Sequence, residues 1–89
     1  MSTYVTIMPH AYEAMFERGA QESEVIAAIE RGEMVPAKKN VFMYIRNFHF
    51  DEVWRDKYYT TKQVLAIVAH HGDERRVVTV ITKYFGSKE

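Results

Sequence analysis

The 89-residue chain has no cysteine, which excludes disulfide bonds, a thiol nucleophile and thiolate metal ligands. It has two prolines and four glycines, and they form no linker that would separate two domains. No apolar run approaches the roughly 18 residues of a membrane span. The first eight residues also lack the basic start and apolar core of a signal peptide. We therefore expect a cytoplasmic protein that does not contact a membrane.

The size and composition favour one small globular domain over residues 1–89. A chain of this length buries only about 60–65% of its unfolded surface, so most apolar segments have to contribute to one core. Hydrophobic residues make up 47% of the chain and aromatic residues 13%, which is enough for such a core.

The formal net charge is zero, with twelve basic and twelve acidic side chains, but the two signs are segregated. Residues 1–37 carry two basic and six acidic side chains, a net charge of −4. Residues 38–89 carry ten basic and six acidic side chains, a net charge of +4, together with nine of the aromatic residues. Such a surface can hold phosphates and stack bases, although lysine and arginine are also common on exposed strand edges.

Two helices are predicted in the acidic half. Pro9 suits the first turn of a helix that continues from His10 to Arg18, with Gly19 placed as its C-terminal cap. A second helix is predicted from about Glu22 to Arg31, because apolar residues recur there at helical spacing and Gly32 follows.

Strands are predicted in the basic half, over Val41–Phe50, Gln63–His70 and Arg76–Phe85. The second is apolar on both faces, since Val64, Ala66 and Val68 alternate with Leu65, Ile67 and Ala69, which is typical of a central strand. Tyr4–Ile7 is either a short strand or an ordered lead-in, and Asp51–Thr61 is either a loop or an irregular hairpin arm.

Segregated helices and strands predict an α+β domain. We expect two N-terminal helices packed on one face of a roughly four-stranded antiparallel sheet. Such a sheet has at least one open edge, through which a homodimer could form.

Several short motifs resemble one bacterial family. They are His10–Ala11, Met15 and Glu17–Arg18–Gly19 in the first helix, Glu24–Val25 and Ile29–Glu33 around the second, and Val77–Val80 in the last strand. Together they resemble the DUF4258 family, whose members open with a His-Ala…Arg-Met…Arg-Gly helix and close on a strand of the Val-Val-Thr-Val type. The resemblance covers the two helices and the last two strands, and the segment from Phe42 to Thr61 diverges.

The DUF4258 family is similar to RelE-like and barnase-like toxins, which fold as helices followed by a four-stranded antiparallel sheet. That similarity implies a metal-independent endoribonuclease of the toxin type. Two residues depart from the pattern: Gln21 replaces the usual serine at the start of the second helix, and Ala14 stands where the family usually has an arginine. If that arginine contacts the scissile phosphate, this chain lacks the contact.

Three residues are candidates for the chemistry of RNA cleavage, which needs a base, an acid and a cation near the phosphate. His10 matches the family histidine, and the dipole at a helix N-terminus favours a neutral imidazole that can act as a base. It could equally cap the helix or bond to the sheet. His70 is a candidate acid–base partner for His10 or a surface histidine, and Arg46 is either a phosphate ligand or solvated.

Lys62, Thr79 and Tyr84 are candidate substrate-binding residues. Each also has an ordinary structural role open to it: a solvated lysine, a strand-forming threonine and a tyrosine packed at the end of the sheet. His70 and His71 are neighbours on a strand and point to opposite faces, so they cannot chelate one ion together. His49 could approach one of them, but no third ligand is evident, and we expect no metal site and no cofactor.

Three functions remain open from the sequence. The first is the toxin-like ribonuclease, with RNA as its substrate and an antitoxin or immunity protein as its partner. The second is a non-catalytic module of the same fold that binds RNA or a protein. The third is an interaction or dimerisation module that contacts no nucleic acid.

Overall fold

The computed structural model describes residues 3–86 and contains two helices and one five-stranded sheet. The elements in chain order are β1 Tyr4–Ile7, α1 Pro9–Arg18, α2 Glu22–Arg31, β2 Glu33–Lys38, β3 Val41–Trp54, β4 Lys57–His71 and β5 Glu74–Phe85. The strand order in the sheet is β1-β5-β4-β3-β2. The α+β class, the two helices and the central position of β4 are confirmed.

The prediction of a purely antiparallel sheet of about four strands is wrong, because the sheet has five strands and is mixed. β1 runs parallel to β5, while all other neighbours are antiparallel. The backbone N–H of Met8, which links β1 to α1, donates to the Val77 carbonyl of β5 at 3.1 Å. Since α1 packs along β5, this short link places β1 beside the same strand.

The additional strand is β2, which pairs antiparallel with β3. It contains Pro36 and is largely exposed, a composition that argues against a strand in the middle of a sheet. At the edge of a sheet the missing N–H of proline costs no ladder hydrogen bond if it faces away from the neighbour. A position at the edge is therefore what allows this segment to be a strand.

The segment Asp51–Thr61 belongs to a long hairpin, which is the second of the two alternatives given for it. β3 and β4 meet at a tight turn in which Arg55 and Asp56 both have positive φ, 51° and 70°. Two successive positive φ angles are the pattern of a type I′ hairpin turn. The ladder shifts register between His49 and Glu52, which makes this arm irregular.

Both helices cover the same face of the sheet and form the core with it. Their contribution comes from small and medium apolar residues, including Ala11 and Met15 of α1 and Val25 and Ala28 of α2. These pack on buried sheet residues: Tyr44, Val64, Ala66, Val68, Val77 and Val80. We call this side of the sheet the helix-covered face.

The opposite side of the sheet carries no helix, and we call it the helix-free face. Strand alternation places Met43, Ile45, Leu65, Ile67 and Ile81 on it, and none of them belongs to the helix-covered core. Leu65 is only 6% exposed because it lies in register between Ile45 and Ile81. The other four are partly exposed. The sheet is therefore apolar on both faces, as the alternation in β4 predicted.

Within residues 3–86, neither helix is long and apolar enough to cross a membrane.

Candidate functional site

Lys62 is the one buried charged residue in the described chain, and three groups surround its ammonium. The Nζ atom forms an ion pair with Glu24 Oε1 at 2.8 Å and donates to the Gly19 carbonyl. It also lies 5.5 Å from the centroid of the Phe50 ring. Lys62 thereby joins β4 to both helices, and its role in substrate binding stays a prediction.

Tyr84 lies beside Lys62, its register partner on β5, and contacts the end of α1. Its hydroxyl donates to the Arg18 carbonyl at 2.7 Å, and the Thr82 hydroxyl donates to the same oxygen at 2.8 Å. Burial raises the pKa of Tyr84, so the phenol keeps its proton at neutral pH. Both contacts satisfy a carbonyl that the helix end would otherwise leave unpaired.

Tyr84 is also the centre of an aromatic cluster formed with Phe50, Trp54 and Tyr59. The Trp54 ring stacks on it with centroids 5.0 Å apart, and the other two rings lie at 5.2 and 5.6 Å. Arg55, at the hairpin tip, donates to the Glu17 carbonyl at 3.0 Å. Aromatic side chains that could stack bases thus hold the hairpin against the end of α1.

His70 lies at the other end of β4, on the helix-covered face. Its Nε2 is 2.8 Å from the Tyr44 hydroxyl, and its ring stacks on Phe42 with centroids 4.2 Å apart. Burial lowers the pKa of His70, and the nearby Arg75 guanidinium lowers it further. The imidazole is therefore neutral at pH 7.

His10 lies at the same end of the molecule as His70. It is the second residue of α1 and is exposed. The helix begins where Met8 bonds to Val77, whose register partner Val68 is two residues from His70. Within residues 3–86 the two histidines share no hydrogen bond.

The six predicted site residues do not form one cluster. Lys62 is eight residues from His70 on β4, about 26 Å at the usual rise of a strand. Arg46 lies on the helix-covered face with its guanidinium 5.6 Å from the Phe48 ring centroid. Thr79 lies on the helix-free face opposite Ile67. The structure thus groups His10 with His70 and Lys62 with Tyr84, and leaves Arg46 and Thr79 apart from both pairs.

A shallow depression of about 240 Å³ lies at one end of the helix-free face, lined by Asn47, Phe48, His49, Thr61 and Phe85. Asn47 Oδ1 accepts a hydrogen bond from Gln63 at 2.9 Å. The sequence suggested His70 or His71 as a neighbour of His49, but the register partner of His49 is Thr61. Extending the predicted strands into one long β3–β4 hairpin would have predicted the pairing of His49 with Thr61. Within the described chain no group of three or more acidic or histidine side chains is placed to hold a metal ion.

Several cations of the basic half are bound within the molecule. Lys62 pairs with Glu24, and Arg76 pairs with Glu74 at 2.8 Å. Arg55 and Arg75 donate to backbone carbonyls. The segregation of charge along the chain is therefore partly cancelled in the fold, since an acidic helix residue neutralises the most buried lysine.

Comparison with known proteins gives one finding. The family model described as Domain of unknown function (DUF4258) matches residues 7–82. No curated protein and no solved structure matches the chain. The match extends from the end of β1 almost to the end of β5 and includes the hairpin that appeared divergent. The chain belongs to the DUF4258 family.

Proposed function

We propose that this protein is a binding module that takes a protein partner, of the antitoxin or immunity type, on its helix-free face. The observation that carries the proposal is a sheet that is apolar on both faces and covered on only one. Domains normally bury each apolar sheet face against a second layer, and a contiguous exposed apolar patch marks an interaction site.

The shape of the patch supports a macromolecular partner. Two neighbouring cross-strand rows form it: Ile45, Leu65 and Ile81 in one, and Val35, Met43 and Ile67 in the other. The two rows span four strands, β2 to β5, which is about 14 Å at the usual strand spacing. A sheet layer or an amphipathic helix of a partner fits a surface of that width.

The charges around the patch favour protein over RNA. Register places Lys83 and Arg76 on this face, together with Glu33 and Glu74. The Arg76 guanidinium already pairs with Glu74. A phosphate backbone needs several free cations, whereas a mixed rim around an apolar centre is typical of a protein interface.

The proposal is tested by co-expressing the chain with the products of the genes that flank its own and measuring co-purification. We expect one of them to bind the wild type and to be lost with Ile81→Glu, because a carboxylate would be buried without a partner. The control is Phe16→Glu, at a residue of α1 that is 89% exposed, away from the sheet. Binding that survives Ile81→Glu, in protein shown to be folded by circular dichroism, contradicts the proposal.

A second candidate is the metal-independent endoribonuclease suggested by the similarity to RelE-like and barnase-like toxins. The observation that favours it is a neutral, partly buried histidine, His70, at the end of the sheet where the exposed His10 lies. In this candidate His70 takes the proton of the attacking 2′-hydroxyl, and His10 supplies one to the leaving oxygen.

This candidate predicts cleavage of mixed RNA in EDTA, with a pH profile set by His70. Because a base acts in its unprotonated form and the pKa of His70 is lowered, the base-dependent limb of the rate should fall only below pH 6.5. His10→Ala and His70→Gln should each reduce the rate by about 10²-fold or more. Cleavage that is unchanged in both variants, or absent from the wild type, rules this candidate out.

A further inference from the structure

We propose that, when the chain is on its own, a second copy of it covers the helix-free face. The two copies pack face to face, related by a twofold axis that runs parallel to the strands. This inference rests on the proposed function, because it uses the same face, and it names what covers that face until the hetero-partner displaces it.

Two opposite charges lie at the margins of the patch. Glu33, on the edge strand β2, lies in the same row as Ile45, Leu65 and Ile81. Lys83 lies two residues beyond Ile81 on β5, on the same face, about 6.6 Å along the strand. Both side chains are exposed, and neither forms an ion pair with any residue from 3 to 86.

The twofold axis brings these two charges together across the interface. The axis runs parallel to the strands, midway between β3 and β4. Rotation about it places β2 of one copy opposite β5 of the other, and each cross-strand row keeps its position along the strand direction. Glu33 of one copy then faces Ile81 of the second, within reach of its Lys83. Because a twofold contact is isologous, the same pair forms twice.

The alternative axis, perpendicular to the strands, is disfavoured by the same charges. It places β2 opposite β2, which brings the Glu33 side chains of the two copies to the same margin of the interface, and like charges in juxtaposition oppose association. The zero formal net charge of the chain adds no overall repulsion between copies. Aligned sheets pack about 10 Å apart, a distance that the apolar residues of the two rows can fill.

The strand edges offer a poorer route to a dimer than the face. β1 has only four residues, and β2 contains Pro36, which has no N–H to donate. On β5, the carbonyl of Val80 already accepts a hydrogen bond of 2.7 Å from the Arg18 guanidinium. These features limit pairing of edge to edge, which is the mode that the sequence had suggested.

The test is a charge exchange followed by sedimentation equilibrium over a range of concentrations of the full chain. The wild type should show a monomer–dimer equilibrium. Glu33→Lys and Lys83→Glu should each raise the dimer dissociation constant about tenfold, and the double variant should return it to within about threefold of the wild type. Glu13→Lys, an exposed acid on α1, makes the same change in net charge away from the face and should have no effect.

Two results would overturn the inference. The first is a wild type that stays monomeric, and the second is a dimer whose dissociation constant is unchanged by Glu33→Lys and Lys83→Glu. Neither result bears on the proposed function, which depends on whether Ile81→Glu abolishes binding of a flanking gene product. A dimer restored by the double exchange, together with a flanking gene product that still binds Ile81→Glu, would establish self-association and show that the hetero-partner binds elsewhere. The two proposals therefore fail on different measurements.

Discussion

Replacing Lys62 by methionine is expected to lower the free energy of unfolding by about 3 kcal/mol. The substitution keeps the volume of the side chain but removes the ion pair with Glu24 and the hydrogen bond to the Gly19 carbonyl. The Glu24 side chain is 16% exposed, so its carboxylate would lose its partner in a largely dry environment. An unpaired, desolvated charge is the main part of the expected loss.

A second variant identifies the origin of that loss. Glu24→Gln in the Lys62→Met background should recover about 1–2 kcal/mol, because it removes the unpaired charge. Glutamine keeps an oxygen for the Gln21 N–H, which now donates to Glu24 at 2.9 Å at the start of α2. Urea denaturation of the wild type, both single variants and the double variant gives the coupling energy. If the losses in free energy of unfolding of the two single variants add up to that of the double variant, the ion pair is not what Lys62 contributes.

Gly32→Ala is expected to destabilise the fold by about 3 kcal/mol, although its backbone conformation is an ordinary one. The φ of Gly32 is −82°, which any residue adopts. A β-carbon at this position would, however, lie 2.5 Å from the Ala28 carbonyl oxygen and 2.5 Å from that of Ile45. Both obstacles are backbone atoms, one at the end of α2 and one in β3, so neither can rotate away as a side chain would.

Gly72→Ala is the matched control for this effect. Gly72 has a positive φ of 60°, and a β-carbon there would meet no atom within 4 Å. It should cost only about 1 kcal/mol, the strain of a left-handed conformation for a residue with a side chain. Thermal or urea denaturation gives the loss in free energy of unfolding for each variant. The loss in Gly32→Ala is steric, and the loss in Gly72→Ala comes from backbone strain. Equal losses would mean that α2 can move away from β3 at little cost.

The helices and the central strand could be predicted because their signals are local. Gly19 has a φ of 78° and caps α1 with a backbone bond to Met15, as its position after Arg18 indicated. α2 ends at Arg31, directly before Gly32. β4 is apolar on both faces and lies third among five strands.

The edges of the sheet could not be predicted in the same way. β1 is four residues long, and the strand that it pairs with, β5, lies at the other end of the chain. β2 contains a proline and lacks clear alternation, so only its neighbour β3 makes it a strand. Propensity describes a segment, whereas an edge strand is defined by the strand beside it.

The candidate site shows the same division between local and distant information. The sequence singled out His10 and His70, and the fold brings them to one end of the sheet. It also selected Lys62 and Tyr84 as substrate ligands, but their partners are remote: Lys62 bonds to a carbonyl 43 residues away, and Tyr84 to one 66 residues away. Composition counted these cations and aromatic groups correctly but could not say which of them the fold would use internally.

The sequence by itself determined the α+β class, the two helices, a central strand β4 that is apolar on both faces, and membership of the DUF4258 family. Hydrophobic periodicity, helix caps and family motifs each depend on residues that are close together in the sequence. Only the tertiary structure decided that the sheet is mixed and has five strands, and that Lys62 is buried against Glu24. It also decided that an apolar face lies open on the other side. These outcomes depend on which distant residues meet, and that is fixed by packing both helices on one face of a mixed five-stranded sheet.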